Sequence, residues 1–417
     1  MKIKNLLKKN RLFIVFILFG CIAFLCSQRW DVWFGNPIEP PYLSRNFPER
    51  IQLTLGNEGQ FSRNVSWQCG DTLATSNLFI SKKETSDTTA IEAAGKLLHT
   101  QGGTTVTYHA KLTDLKAGEY FYSVSTGGKQ SDWYNFKVST NDRFTFVYIG
   151  DIQDTIGGNA GNMFSKINRN NKDAAFWILG GDVIERPHDQ YWNEYYTSMD
   201  SISQTMPVLA CPGNHEYYKG LCNKLDERFI YNFPYFVYSR NEGYAVFNTN
   251  YQNVAIITLD SHHGFWTLFS QRRWFKNTLD KMYDVKWKIV VLHHPVYSVR
   301  GKLKHFFIRC LFNSLIRKYG VDIVLQGHEH CYARKITKDN NNTLVTPVYI
   351  ISQSSPKNYK INPNSSYDRL ENGMRFYQTI EICTDTLTLK TYTETENLYD
   401  QVRIIKNDCK LLVTATK

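Results

Sequence analysis

Six short apolar runs in this sequence each end in residues that could bind a metal ion or transfer a proton. Because open α/β sheets place their ligand sites at the carboxyl ends of the strands, we expect these groups to meet at one edge. Ionised groups gathered there repel one another unless a cation lies between them. A set of Asp, Asn and His without thiolates favours divalent first-row metals or iron, and it predicts a two-metal hydrolytic centre. The endings are Gly150-Asp151, Gly180-Gly181-Asp182, Gly213-Asn214-His215-Glu216, Asp260, His293-His294 and Gly327-His328-Glu329-His330.

The elements that must position these groups begin at about residue 143. From there apolar strands alternate with helix-like stretches, which is typical of an α/β domain. The six strands that carry the endings are predicted over 144–149, 174–179, 207–211, 254–259, 287–292 and 321–325. Helices are predicted over 161–171, 190–203, 270–283 and 304–319, and three later strands over 371–382, 387–393 and 399–405.

The preceding region, up to about residue 140, contains only strand patterns. Apolar and polar residues alternate there with period two between frequent turns, which predicts a small β-sandwich with Trp67 and Tyr122 in its core. The predicted strands are 50–55, 64–68, 76–80, 105–112, 120–125 and 134–138. The turn over 115–120 resembles the corresponding turn of fibronectin type III modules. Acids, histidines and cysteines do not cluster in this region, so we predict a positioning or partner-binding role for it and no chemistry.

The N-terminus is basic and then apolar. The formal net charge of the chain is +11, of which the segment before residue 12 supplies 5, and the remaining charge is dispersed, so nucleic acid is not indicated as a specific partner. The uncharged run 12–26 predicts a signal sequence or membrane anchor, and hence a secreted, periplasmic or membrane-anchored protein. A cleaved signal, a lipoprotein attached at Cys21, and a retained anchor with Trp30 and Trp33 at the interface all stay open.

The nine cysteines include two in this apolar run, which leaves seven in the body of the chain. They form no CxxC pair, which excludes zinc-knuckle arrangements. Export would permit disulfides, and an odd number leaves at least one thiol unpaired within the chain.

Five of the endings match, in order, the five blocks of the calcineurin-like metallophosphoesterases. Within that superfamily the chain resembles the purple acid phosphatases, which share the fibronectin-like N-terminal domain and extend the last block as His-x-Tyr-x-Arg, here His330, Tyr332 and Arg334. The resemblance implies an all-β sandwich followed by an α/β metallophosphoesterase sandwich with two central sheets flanked by helices. After the signal or anchor predicted over 1–30, the resemblance places the fibronectin-like domain over 38–140 and the catalytic domain over 141–410.

The resemblance also implies a role for each matching residue. Asp182 would bridge two metal ions, with Asp151 and His330 on the first ion. The second ion would be held by Asn214, His293 and His328. His215 would contact the phosphate and protonate the leaving group, while a metal-held hydroxide attacks phosphorus of a small phosphate monoester. The ions could be Fe, Zn, Mn or Mg.

Two positions depart from the family pattern, and both concern the first metal site. Purple acid phosphatases carry a Tyr three residues after the second aspartate, where this chain has Glu185. The wider superfamily carries a His two residues after the first aspartate, where this chain has Gln153. Either Glu185 or Gln153 completes the site with an oxygen, or the site binds its ion weakly. Without the Tyr we expect neither the purple colour nor a preference for iron(III).

One metal ligand has an alternative: His294 adjoins His293 and could take its place.

Two assignments of function compete with phosphatase, and several residues near the blocks are candidates for substrate binding. A phosphodiesterase or nucleotide hydrolase would use the same ions. A non-catalytic binding protein would retain the fold with a degraded first metal site. The candidate substrate residues are Arg300, His305, His263 and its neighbour His262.

Overall fold

The chain begins with a long helix. The computed structural model describes residues 2–85, 87–153, 160–220, 223–235, 237–239, 244–301, 303–362, 366–407 and 410–416. Helix α1 (Lys2–Phe34) contains the stretch Phe13–Asp31, which is long and apolar enough to cross a membrane. None of that stretch is buried against the protein. By length and composition, α1 therefore suits either an anchor or a signal sequence.

A β-sandwich follows the helix and confirms the prediction for this region. One sheet has the order β1-β2-β6-β5; the other has the order β4-β3-β7-β8, with β9 also paired to β7. Trp67 and Tyr122 are buried in the core between the sheets, as predicted. All six predicted strands are present, and the three short strands β4, β5 and β8 were not predicted. The strands are β1 (Glu49–Gly56), β2 (Gly59–Gln68), β3 (Ser76–Lys82), β4 (Thr88–Glu92), β5 (Ala94–His99), β6 (Thr104–Leu112), β7 (Gly118–Thr126), β8 (Lys129–Gln130) and β9 (Tyr134–Val138).

Two large sheets pack face to face in the remainder of the chain, and their apolar faces form the largest core of the protein. The seven-stranded sheet has the order β12-β11-β10-β23-β24-β25-β26. Its strands are β10 (Phe144–Ile149), β11 (Trp177–Leu179), β12 (Val208–Ala210), β23 (Phe376–Ile382), β24 (Thr386–Thr393), β25 (Leu398–Asn407) and β26 (Lys410–Ala415).

The eight-stranded sheet has the order β15-β16-β17-β18-β19-β21-β20-β22. A separate two-stranded ribbon, β13 (Tyr217–Tyr218) with β14 (Lys224–Leu225), follows β12 in the sequence and precedes β15. The strands of the eight-stranded sheet are β15 (Val237–Ser239), β16 (Tyr244–Tyr251), β17 (Val254–Leu259), β18 (Trp287–Leu292), β19 (Ile323–Gln326), β20 (Tyr332–Lys338), β21 (Leu344–Ile351) and β22 (Arg369–Glu371).

Helices complete the layers. Every residue of β17 and β18 is buried, because these parallel strands are covered by the other sheet on one face and by α6 and α7 on the other. This explains why both strands are continuous apolar runs in the sequence. The fold class predicted from the sequence is thereby confirmed. The helices are α2 (Ala160–Asn170), α3 (Asp189–Met199), α4 (Ile202–Thr205), α5 (Glu227–Asn232), α6 (Phe265–Lys281) and α7 (Phe306–Lys318).

Some element boundaries differ from those predicted. The helix predicted over 190–203 is divided into α3 and α4 at Asp200, whose φ is +43°. The strand predicted over 371–382 is interrupted at Gly373, whose φ of +95° suits a turn. Helix α6 begins five residues earlier than predicted because its aromatic first turn shows no helical periodicity. The described cysteines are all free, whereas Cys222 and Cys409 lie outside the described residues.

Candidate metal centre

The carboxyl ends of the parallel strands in both sheets meet at one edge, and the predicted ligands lie in the turns that follow them. Four of these ligands have a left-handed backbone: φ is +44° at Asp151, +51° at Asp182, +70° at His328 and +47° at His330. Asp and His tolerate this conformation better than most residues, and such backbone conformations cluster at functional sites.

One group of side chains corresponds to the predicted second metal position. Potential ligand atoms of Asp182, His293 and His328 lie within 4.8 Å of one another. His293 Nε2 is 3.2 Å from both Asp182 Oδ2 and Asn214 Oδ1, and His328 Nδ1 is 2.8 Å from Asn214 Oδ1. His293 Nδ1 donates a hydrogen bond to the Gly180 carbonyl oxygen at 2.9 Å, which directs Nε2 into the group.

A second group corresponds to the predicted first metal position and shares Asp182. Potential ligand atoms of Asp151, Asp182 and His330 lie within 4.8 Å of one another. The Gln153 amide nitrogen is 3.1 Å from His330 Nε2 and 3.3 Å from Asp182 Oδ2, so this side chain points into the group. A half-turn of the amide would place its oxygen there instead. The structure thus brings Gln153 to the position that the sequence left incomplete.

Buried atoms without partners support the fit of this group to a metal ion. Asp151 Oδ2, Gln153 Oε1 and His330 Nδ1 are all buried without a hydrogen-bond partner. Buried polar groups are normally satisfied, and unsatisfied atoms on three neighbouring side chains, a carboxylate, an amide and an imidazole, suit a nearby cation. Asp182 belongs to both groups, and its Oδ2 lies close to both His293 Nε2 and the Gln153 amide, so this carboxylate is the one placed between the two candidate metal positions.

The electrostatics of the centre also favour added positive charge. Burial raises the pKa of Asp151 to about 7, and the neighbouring Asp182 carboxylate acts in the same direction. The pKa of His293 is raised to about 9 against the effect of burial, because Asp182 and Asp151 stabilise its imidazolium form. Burial lowers the pKa of His330 to about 3, which keeps this imidazole neutral and able to ligate. The site therefore stabilises a cation among its carboxylates.

Glu185, the other candidate for completing the first site, is directed elsewhere. Its carboxylate accepts a hydrogen bond from Lys357 Nζ at 2.5 Å. Its backbone carbonyl oxygen accepts one from His215 Nδ1 at 2.6 Å. Among the described residues, neither group of potential metal ligands contains Glu185. Glu185 thus pairs with a lysine and orients a histidine.

His215 lies at the opening of the centre. Its backbone N–H donates to Asp182 Oδ1 at 2.9 Å, and its Nε2 lies 3.9 Å from Asp182 Oδ2. The hydrogen bond from Nδ1 to Glu185 leaves Nε2 free to face a bound phosphate. A cavity of about 550 Å³ adjoins this point and is lined by Asn214 and His215, among others.

Glu216 is a site residue whose role the sequence did not predict. Its fully buried carboxylate accepts four backbone hydrogen bonds, all from the turns that carry the candidate ligands. Oε1 accepts from Val183 N at 2.7 Å and Ile184 N at 3.2 Å. Oε2 accepts from Asp182 N at 3.0 Å and Gly213 N at 2.6 Å. Glu216 thereby holds the turn of Asp182 against the turn of Asn214. The only sequence signal was its place in the block Gly213–Glu216.

The candidate substrate residues divide into two sets. The ring of His305 lies 5.0 Å from the rings of both His294 and His328, next to the second group. His294 Nδ1 is 3.0 Å from Ser261 Oγ, and His294 belongs to neither group of ligands, so the geometry favours His293 at that position. His263 is instead paired with Asp260 at 3.1 Å, although it lines the same cavity as His294 and His305.

Arg300 reaches the first group through an aromatic ring that the sequence analysis did not single out. Its guanidinium lies 4.4 Å from the ring centre of Tyr359, and that ring lies 4.6 Å from the ring of His330. Tyr359 and Lys357 belong to the loop after β21. That loop has no metal-binding or catalytic motif, so its place beside the centre follows only from the fold.

Comparisons with known proteins agree with this geometry. The model of the calcineurin-like phosphoesterase family matches residues 144–332, and that of the purple acid phosphatase N-terminal domain matches residues 48–138. Purple acid phosphatase 21 of Arabidopsis thaliana is 23% identical over 351 residues, which cover 79% of this chain and 78% of the relative. Fe(3+)-Zn(2+) purple acid phosphatase 12 of the same plant is 22% identical over 249 residues, or 54% and 52% of the two chains. The solved structure of PhoD has the same fold, with a TM-score of 0.61 and 11% identity over 90% of this chain and 94% of PhoD.

Fold, site and family matches together define a metallophosphoesterase, a hydrolase of phosphoric ester bonds. More particularly, the chain combines a calcineurin-like phosphoesterase domain with a purple acid phosphatase N-terminal domain, and its homologues are named purple acid phosphatases. The resemblance seen in the sequence is confirmed.

Proposed function

We propose that this protein is an exported, membrane-tethered phosphatase that hydrolyses phosphate monoesters at a centre for two metal ions. The observation that carries the proposal is the sharing of Asp182 between two groups of buried ligands, one with Asp151 and His330 and the other with His293 and His328. When bound, two cations would lower the pKa of water and offset the charge that develops on the phosphoryl group.

The residues of the chain would divide the remaining work. Asp182 would contribute to holding both ions, Asn214 would join His293 and His328 at the second, and Gln153, with its amide turned, would offer an oxygen to the first. His215 holds its Nδ1 proton on the Glu185 carbonyl oxygen and presents Nε2 to the ester. In its protonated form it gives the Nε2 proton to the departing alkoxide, which needs an acid within hydrogen-bonding reach. Glu185 stands where the family pattern has its tyrosine, so manganese or magnesium should serve as well as the iron and zinc in the name of the Arabidopsis relative.

The substrate would lie outside the cytoplasm and be a phosphorylated compound rather than a nucleic acid. Export rests on the basic N-terminus and on the apolar stretch of α1, which has no contact that buries it within the protein. The retained-anchor alternative is preferred because Asn36, just after α1, is hydrogen-bonded to the backbone of Lys219 and lines the same cavity as His215.

The test compares an aryl phosphate monoester with the corresponding diester, using the full-length protein in detergent with zinc, manganese, iron or magnesium. Asp182→Asn should reduce monoester turnover by more than about 100-fold, beyond the usual effect of outer-shell changes around a metal. The matched control is Asp114→Asn, which alters an exposed aspartate that also has positive φ. Faster turnover of the diester would identify a phosphodiesterase. No turnover of either ester with any metal would overturn the enzymatic proposal in favour of a binding protein.

A further inference from the structure

Beside the metal centre the protein exposes a continuous apolar surface. Helices α6 and α7 begin side by side. We term the surface formed by their first turns and by Leu303, just before α7, the aromatic patch. The rings of Phe265 and Phe307 are 5.3 Å apart, as are those of Phe265 and Trp266. Trp266 is 81% exposed and Leu303 is 85% exposed. Contiguous exposed apolar patches of this kind mark interaction sites. The aromatic patch consists of Phe265, Trp266, Phe269, Leu303, Phe306 and Phe307.

A groove of about 630 Å³ leads from the aromatic patch towards the metal centre. Leu303, Phe306 and Phe307 line its outer part, and histidines line its inner part. The inner wall includes His294, whose ring is 4.2 Å from the ring of His328 in the second group of ligands. The groove therefore joins an apolar surface to the place where a phosphate would be held.

The end of helix α1 lies at the cavity on the His215 side of the metal centre. Asn36, two residues after the helix, exchanges two hydrogen bonds with the backbone of Lys219, at 2.7 and 2.8 Å. Asp31 and Asn36 line the cavity of about 550 Å³ that also contains His215. Since two residues span at most about 7 Å, the end of the apolar helix cannot move far from the catalytic opening.

Glu39 fixes this linker more firmly. Its buried carboxylate accepts hydrogen bonds from Arg228 Nη1 at 2.5 Å and from Asp189 N at 2.6 Å in the catalytic domain. It also accepts one from Gly102 N of the β-sandwich at 3.0 Å. A buried carboxylate paired with an arginine is costly to break, so the linker is a built part of the fold. If α1 is retained in a membrane, the catalytic opening is held close to that membrane.

We propose that the substrate is the phosphate headgroup of a membrane lipid, with the aromatic patch inserted among the lipids and the groove holding the apolar side of the ester. This proposal rests on the phosphatase function proposed above. Water would attack phosphorus, the bond from phosphorus to the lipid oxygen would break, and His215 would protonate that oxygen. The products would be inorganic phosphate and a lipid alcohol. Exposed Arg273 and Lys304 flank the patch and would favour an anionic lipid surface.

A lipid suits these observations better than a protein partner or a second copy of the chain. The groove opens at the aromatic patch, so a protein seated there would close the groove. The tether, by contrast, brings a membrane to the opening without any partner. Aromatic side chains with adjacent cations are also the usual residues of interfacial membrane contacts.

The experiment uses the full-length protein reconstituted into phosphatidylcholine vesicles that contain dioleoylphosphatidic acid. Turnover of this lipid is compared with turnover of a water-soluble aryl phosphate by the same preparation. Replacing Trp266 and Phe269 together with serine should lower the ratio of lipid to aryl phosphate turnover by at least about tenfold, equivalent to ~1.4 kcal/mol. The matched control, Trp133→Ser, alters an exposed tryptophan on the β-sandwich and should leave the ratio unchanged.

The outcomes separate this proposal from the one on which it rests. Turnover of the aryl phosphate without turnover of the lipid overturns the lipid proposal alone. No turnover of either compound overturns both. An unchanged ratio in the double variant overturns the role of the aromatic patch, as does a change in oligomeric state that accounts for the whole effect.

Discussion

Replacing Glu216 with glutamine puts an NH₂ group in place of one acceptor oxygen of the clamp that holds the two central turns of the site. The two carboxylate oxygens each accept two backbone N–H groups, and all four bonds are between 2.6 and 3.2 Å. In either orientation of the glutamine amide, its NH₂ group faces two buried donors. Each unsatisfied buried donor costs ~1–3 kcal/mol, so the substitution should cost ~2–6 kcal/mol in total.

Part of this free energy should appear in function, because two of the affected N–H groups belong to Asp182 and to Gly213, which precedes Asn214. If about 2.7 kcal/mol is expressed as misplacement of these ligands, kcat/KM falls about 100-fold. The assay measures kcat/KM for an aryl phosphate, metal ions bound per chain and the Tm of the full-length protein. We expect all three to fall.

The control is Glu227→Gln, which alters a half-exposed glutamate paired with Lys224 at 3.3 Å on the surface. Its effect on stability should stay within about 0.5 kcal/mol, as for most surface changes. A Glu216→Gln protein with native metal content and kcat/KM within about threefold of the wild type would refute the reasoning that this carboxylate positions the ligands.

Two further predictions concern the first metal position and the linker. In a metal titration, Gln153→Ala should weaken the binding of one of the two metal ions by about tenfold or more and leave the binding of the other unchanged. Glu185→Gln should change neither affinity. The reverse pattern would show that Glu185 is the ligand. Arg228 holds the pKa of Glu39 below its ordinary value of 4.5 despite burial, so the stability that ionised Glu39 contributes is present above that value and is lost as the pH falls through the folded pKa. Denaturant unfolding followed from neutral to acid pH should therefore show a steeper loss of stability in the wild type than in Glu39→Gln, and parallel curves would contradict the prediction.

Much of the fold was predictable because its central strands are buried on both faces. Such strands must be apolar throughout, and the chain must turn sharply where they end, so β10, β17 and β18 appear in the sequence as apolar runs followed by polar residues. The period-two strands of the β-sandwich were equally visible. Short edge strands such as β8, and the closing strand β26, carry weak patterns because few of their side chains need burial.

The first turn of α6 was missed for a related reason. Its sequence, Phe265-Trp266-Thr267-Leu268-Phe269, is apolar on nearly every face, and an exposed apolar turn does not show helical periodicity. The irregularity that obscured the helix is the same feature that forms the aromatic patch. A prediction based on burial alone therefore fails where the surface itself is apolar.

The sequence by itself determined the chemical class of the site, because the types and order of residues after each strand specify carboxylate, amide and imidazole ligands. Only the tertiary structure decided which of two departures faces the first metal position: Gln153 points into it, whereas Glu185 turns to Lys357. It also placed Tyr359 against His330 and tied Asn36 beside His215. Such contacts join residues tens to hundreds of positions apart. No local pattern encodes them, because they depend on how loops from separate strands come together over one sheet edge.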